Sequence, residues 1–257
     1  MSVKHLTSRD NPAYRHLHAL STSSRVRRQA EQTLLDGDHL IEAALSAGCA
    51  IEQWIFVESC PPAVQDYWQA RAPRAPAVVL SDALFRGISP VVTPTGLLAV
   101  IATPRPAAGV QPQSIVLLEA LQDPGNLGAV LRAAAASGCD AVHLSLGCAE
   151  AWSPKCLRGG QGAQFALRIY EGQDLPAVAR HHDGPVYAGV LGARQRLYDL
   201  DLRGPVGFAF GNEGAGLSAA LAAVCQPFVI PMPGQVESLN VATAAAICLF
   251  ERVRQIS

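Results

Sequence analysis

Apolar residues fall along this chain in short runs, separated by longer segments with helical spacing. In the first half, GDHLIEAALSA (37–47) has the spacing of a helix and IEQWIFV (51–57) that of a strand. A helix across 62–71, the strand AVVL (77–80), a short helix at SDALFRGI (81–88) and the strand GLLAVIA (96–102) follow. The stretch TPRPAAGVQPQS (103–114) is rich in Pro and Gly, has no apolar period, and reads as a linker. Beyond it the alternation resumes through IVLLEAL, NLGAVLRAAAASG, AVHLSL, PVYAGVL, VGFAFG and FVIPM. The last helix is expected from about Ser238 to Gln255, with Leu239, Ala242, Ala246, Leu249 or Phe250, and Val253 on one face. Apolar strands flanked by helices predict an α/β protein built on mostly parallel sheets.

Length and composition narrow the class. At 257 residues the chain suffices for one large domain or two modest ones, and 49% hydrophobic with 16% charged residues suits a packed core. No run of apolar residues is long enough for a membrane helix, and the N-terminus has no signal-peptide apolar region, so a cytoplasmic protein is expected. The seven cysteines form no C-x-x-C pair, and the pair His181-His182 lacks ligand spacing, so neither a metal site nor a disulfide framework is expected. Net charge is −1, but residues 1–30 hold Lys4, Arg9, Arg15, Arg25, Arg27 and Arg28 against Asp10 alone. With His5, Tyr14, His16 and His18 interleaved, this segment is either a footprint for phosphates or a solvated helix face.

Candidate chemistry gathers in the second half, where three apolar strands each run into a turn and then a helix. The first turn lies in LLEALQDPGNLGAVLRAAAASG (117–138), with Asp123 or Asn126 as the helix cap and Arg132 on about the second turn. The second, FAFGNEGAGLS (208–218), places Glu213 among Gly211, Gly214 and Gly216. The third, IPMPGQVESLNVATAAAICLFE (230–251), crowds two prolines, a glycine and a Ser-Leu-Asn step before a long apolar helix, which Glu237 or Ser238 is placed to cap. The order G-x-x-G-x-G at 211–216 is the reverse of a dinucleotide fingerprint. Neither a triphosphate P-loop nor a G-x-S-x-G elbow is present. Each turn taken singly is ordinary strand-to-helix chemistry.

Together and in order, DPGNLGAVLRAAAASG, FGNEGAGLS and IPMPGQVESLNVATAAAICLFE resemble the SpoU-type (TrmH-like) branch of the SPOUT superfamily, the RNA 2′-O-ribose methyltransferases. The resemblance covers roughly residues 113–257 and implies an α/β domain with a mostly parallel sheet tied in a trefoil knot whose loops bind S-adenosylmethionine. It implies cofactor contacts at Gly211, Ile230, Met232, Ser238, Leu239 and Asn240, and polar active-site positions at Asn126, Arg132, Glu213, Ser238 and Asn240. It further implies a homodimer paired through its terminal helices, with one subunit able to complete the other's site.

The first half, through LTSRDNPAYRHLHAL, LLDGDHLIEAALSAG and TPTGLLAVIATP, resembles more loosely the ribosomal-protein-like α/β/α RNA-binding domain that precedes such catalytic domains. It departs from the family's pattern at Thr33, Asp36 and Thr95, where phenylalanine, glutamate and glutamine are usual. The implied division is an RNA substrate-binding domain over 1–103, a linker over 104–112 and the methyltransferase domain over 113–257, with Arg9, Arg15 and Arg27 as phosphate contacts. The resemblance implies ribosomal or transfer RNA as substrate, and the two-domain layout favours ribosomal RNA. A non-enzymatic RNA-binding or ribosome-assembly factor on the same scaffold is the alternative reading, and methylation of a small molecule a third.

Overall fold

The computed structural model describes residues 4–89, 91, 93–106, 109, 111–190, 192–212 and 214–257. They form two compact units: one joins the chain up to Pro104 with Trp152–Phe165, and the other joins Arg105–Ala151 with Ala166–Ser257.

The first unit is built on strands β1 (Lys4–Leu6), β2 (Gln32–Asp36), β3 (Ile51–Val57), β4 (Ala77–Leu80) and β5 (Leu97–Ala102), in the order β1-β4-β3-β5-β2. Helices α1 (Pro12–Thr22), α2 (Ser24–Ala30), α3 (Asp38–Ser46), α4 (Pro62–Arg71) and α5 (Asp82–Ile88) come from the same stretch of chain. The pleat sends Ile55 and Val57 to one face, where they meet Leu17 and Leu20 of α1 and Phe85 of α5. Trp54 and Phe56 point to the other face, where Trp54 packs 6.1 Å from Trp68 of α4. Helix α7 (Pro154–Gly160) joins this unit at β2, where the buried Thr33 hydroxyl donates to the Trp152 carbonyl at 2.6 Å.

This sheet departs from the parallel expectation. β1, β3 and β4 run parallel, but β5 is antiparallel to both β3 and β2. Hydrophobic periodicity fixes which face a side chain takes and carries no signal for strand direction. The edge strand β1, only three residues long, and β2 lie outside the runs expected from sequence.

In the second unit β6 (Ser114–Leu118), β7 (Ala141–Leu144), β8 (Arg168–Tyr170), β9 (Val186–Gly189), β10 (Val206–Phe210) and β11 (Gln226–Phe228) form a sheet of order β11-β9-β10-β6-β7-β8. Every pairing in it is parallel. Helices α8 (Leu175–His181) and α9 (Ala219–Ala222) share one apolar cluster with the sheet, through Leu175, Ala179 and Leu221 packed on Ile115, Leu117 and Ala209. Helices α6 (Pro124–Ala136) and α10 (Val241–Ile256) pack on each other. The FVIPM run gives up its strand early: β11 ends at Phe228, and the prolines at 231 and 233, which lack an N–H, cannot extend the ladder. Chain order reverses between β6 and β10, and that crevice at the carboxyl ends of parallel strands is where such sheets hold ligands.

Candidate active site

The loop after β10 is fixed by hydrogen bonds at both ends. The Asn212 and Gly216 backbones exchange a pair of bonds at 3.1 and 2.9 Å, and the Asn212 Oδ1 accepts from the amides of Gly214 and Ala215. Asn212 Nδ2 donates to the Ala120 carbonyl at 2.9 Å, and Ala120 itself holds a left-handed φ of 51°. The Glu119 carboxylate closes the loop's far side, accepting from the Ser218 amide at 2.6 Å and the Ser218 hydroxyl at 2.7 Å. Gly211 permits this return: a Cβ there would lie 2.2 Å from the Gly216 carbonyl group, so any side chain would force the loop open.

A second wall comes from the chain after β11. Val229 accepts from the Leu197 amide and donates to the Gln195 carbonyl, each at 2.9 Å, and Val190 donates to the Phe228 carbonyl at 2.8 Å. Residues 230–240 then pass without regular structure into α10. The cap of that helix is Asn240 rather than Glu237 or Ser238, its Oδ1 accepting from the amides of Ala242 and Thr243 at 2.9 and 3.3 Å. Its Nδ2 donates to Asn126 Oδ1 at 2.9 Å, at the start of α6. Asp123, not Asn126, caps α6, accepting from the Asn126 amide at 2.7 Å.

Between these walls lies a cleft of about 470 Å³. Gly211, Ile230, Met232, Ser238, Leu239 and Asn240, six positions from two separate motifs, all line it. Apolar side chains dominate, and among the described residues no charged side chain reaches it. The cleft therefore suits a flat apolar ring. Asn126 touches the rim through Asn240. Arg132 is exposed on α6, outside the lining, with no side-chain hydrogen bond or ion pair among the described residues. Glu213 lies outside the described residues.

In the other unit Arg9 and Arg15 are exposed, whereas Arg27 is 6% exposed and donates to the Leu20 carbonyl at 2.7 Å. That guanidinium fastens α2 to the end of α1, a different use from the phosphate contact expected of it. All seven cysteines are free, and burial pushes the Cys225 thiol up to about 11, with Glu119 nearby adding to the rise. Among the described residues no three His, Cys, Asp or Glu side chains converge as metal ligands.

Glu119, Ala120 and Asn212 are parts of the site that the sequence reading did not single out. Asn212 carried a signal, since an asparagine between a strand end and a glycine-rich turn is placed to bond the backbone two residues on. Glu119 carried none, because its partner Ser218 is ninety-nine residues away.

The chain is similar to known proteins over nearly its whole length. Residues 113–250 match the model of the SpoU rRNA Methylase family, and residues 11–99 that of the MRM3-like substrate binding domain. An uncharacterized tRNA/rRNA methyltransferase of Synechocystis is 34% identical over 98% of this chain and 94% of its own length. The 23S rRNA (guanosine(2553)-2′-O)-methyltransferase RlmP of Bacillus subtilis is 31% identical over 96% of this chain and 98% of its own. The crystal structure of an AdoMet-bound rRNA methyltransferase from Sinorhizobium meliloti superposes with a TM-score of 0.84, at 26% identity over 99% of both chains. Matched by that family model over more than half of its length and by relatives over nearly all of it, the chain belongs to the SpoU rRNA methylase family.

Proposed function

We propose that this protein transfers a methyl group from S-adenosylmethionine to a ribose 2′-hydroxyl of RNA, with ribosomal RNA preferred over transfer RNA. The observation that carries this reading is the cleft: six residues named from the family's motifs line one uncharged cleft of suitable size. The cofactor supplies an electrophilic methyl on a cationic sulfur. Gly211, Ile230, Met232 and Leu239 form the apolar and backbone surround, and Ser238 and Asn240 bring polar groups to its mouth. The protein's task is then to hold a hydroxyl in line, about 3 Å from the methyl, as its proton leaves. Asn126, Ser238, Asn240 and Glu213 are the polar groups we assign to that alignment. Arg132 is a poor base, because a guanidinium keeps its proton, and we assign it to clamping phosphate and stabilising the developing alkoxide.

Residues 1–103 are read as the RNA-binding part, with 104–112 as linker and 113–257 as catalytic part, in keeping with the two family models. Arg9 and Arg15 offer exposed charge for phosphates. The ties of Val229 to residues 195–197, and of Gln255 to Leu200 and Leu202, support a trefoil knot. Phe250 and Ile256, each 48% exposed on α10, support a homodimer through that helix. No helix among the described residues is long and apolar enough to cross a membrane.

The test is ribose-methylation mapping of total RNA from cells with and without the gene. One 2′-O-methyl mark, in ribosomal RNA, is expected to vanish on deletion and return with the wild-type gene. Arg132→Ala is expected to cut transfer by about a hundredfold or more while S-adenosylhomocysteine still binds. An unchanged methylation map, with purified protein that binds RNA but transfers no label, would replace this reading with that of an assembly factor.

A further inference from the structure

A second hollow, of about 640 Å³, opens at the carboxyl ends of β6, β7 and β8, within the same unit as the cofactor cleft. The two share a wall: Asn212, Gly216 and Leu217 line both. Among the described residues the lining has no Lys, Arg or His, and it includes the carboxylates of Glu119 and Asp174, so it repels phosphate. Its polar groups suit the edge of a heterocycle. The Gln122 side chain makes no hydrogen bond among the described residues, and Gln173 donates to the Glu171 carbonyl through its Nε2. Leu146 lines the same hollow at 82% exposed, an unusual position for a large apolar side chain in a site otherwise polar at its rim.

We propose that this hollow receives the base of the nucleotide whose ribose is methylated, turned out of the RNA and laid against Leu146 with its edge toward Gln122 and Gln173. The inference rests on the methyl-transfer reading above and adds a specificity site to it. A base in the hollow sets its own ribose at the shared wall, next to the cofactor cleft, while the negative lining leaves the flanking phosphates outside. Eversion costs stacking with the neighbouring bases, which an apolar platform offsets in part. Asn212 and Glu119 then act as positioning residues, because their bonds to Ala120 and Ser218 hold the loop that forms both walls.

Two variants of the full chain test this without touching the cofactor cleft: Leu146→Ala removes the platform, and Ala215→Phe fills the hollow. Both side chains are exposed and line only this hollow, so neither substitution removes a core contact. Methyl transfer to ribosomal RNA from cells lacking the gene is measured beside S-adenosylhomocysteine binding by calorimetry. Each variant is expected to lower kcat/KM for RNA by about tenfold or more, with S-adenosylhomocysteine affinity within about twofold of wild type. Wild-type kcat/KM in both variants overturns the proposal and leaves the methyltransferase reading standing. An equal loss of S-adenosylhomocysteine affinity also overturns it, since damage to the shared loop then explains the loss of transfer. Wild-type protein that transfers no methyl removes the underlying reading, and this proposal falls with it.

Discussion

Gly211, Arg27, Thr33 and His143 each show how one side chain, or the lack of one, is set by what the fold brings against it. Gly211 is required because the Gly216 carbonyl returns to within 2.2 Å of where its Cβ would stand. Glycine there was legible as a mark of close approach, although what approached was not. Thr33, where relatives were expected to carry phenylalanine, is fully buried with its hydroxyl on the Trp152 carbonyl, so the departure is accounted for by a partner across 119 positions. Arg27 looked in sequence like any other cation of a basic segment. Only the turn between α1 and α2 brings it onto the Leu20 carbonyl. His143 has a consequence that can be measured. It is buried on β7 and stacked 4.8 Å from Tyr170, and among the described residues its Nδ1 has no hydrogen-bond partner. Burial, with His182 and Arg168 adding repulsion, lowers its pKa from the ordinary 6.5 to about 4. Between those values the unfolded chain binds a proton that the folded chain excludes. Its contribution is therefore complete above pH 6.5 and is lost as pH falls toward 4, by an amount on the order of 3 kcal/mol. His182, also depressed by burial, adds to the same acid limb. Thermal melts from pH 7.5 to 4.5 should fall less steeply for His143→Gln than for wild type. Parallel curves would remove His143 from the linkage.

The elements were legible where a strong period was available. The helix over 62–71 and the strands at 51–57 and 77–80 stand where their spacing put them. Helix α10 was legible as a helix but not at its start, since Glu237, Ser238 and Asn240 are all plausible caps by residue type. The structure selects Asn240, whose two polar atoms do different jobs: the carbonyl oxygen caps α10 and the amide group donates to Asn126 at the head of α6. Two substitutions separate those jobs. Asn240→Asp keeps a good cap acceptor and removes the donor, so stability should stay within about 0.5 kcal/mol while methyl transfer drops. Asn240→Ala loses both, and should cost about 1 kcal/mol as well as activity. Urea melts and a methyl-transfer assay on the same preparations decide it. An aspartate variant with wild-type activity would show that the Asn126 contact is dispensable, leaving Asn240 as a cap alone.

At the scale of the whole molecule, sheet class was legible from apolar runs, and strand order was not, because β11 joins β9 and β10 joins β6 through pairings far apart in the chain. Six positions named from two motifs line one cleft, whereas the tie between Glu119 and Ser218, ninety-nine residues apart, left no mark in the sequence. Arg132 raises the remaining question of how the site is completed. It stands exposed on α6 and outside the cleft proposed for the cofactor in its own chain, whereas Asn240 lines that cleft. In a dimer paired through α10, a cleft from one subunit and an arginine from the other would make one site, and this can be tested by mixing. Arg132→Ala and Asn240→Ala proteins, each close to inactive alone, are combined under conditions that exchange subunits. A mixed two-fold dimer then holds one site with an intact cleft and an intact partner arginine. Since half of a random mixture is heterodimer, activity should recover to about a quarter of wild type. If Arg132 serves its own cleft, every site in the mixture keeps one lesion and activity does not recover. Sedimentation of Phe250→Asp supplies the matching structural result. Loss of the dimer together with transfer, while S-adenosylhomocysteine still binds each monomer, is expected if the arginine crosses between subunits.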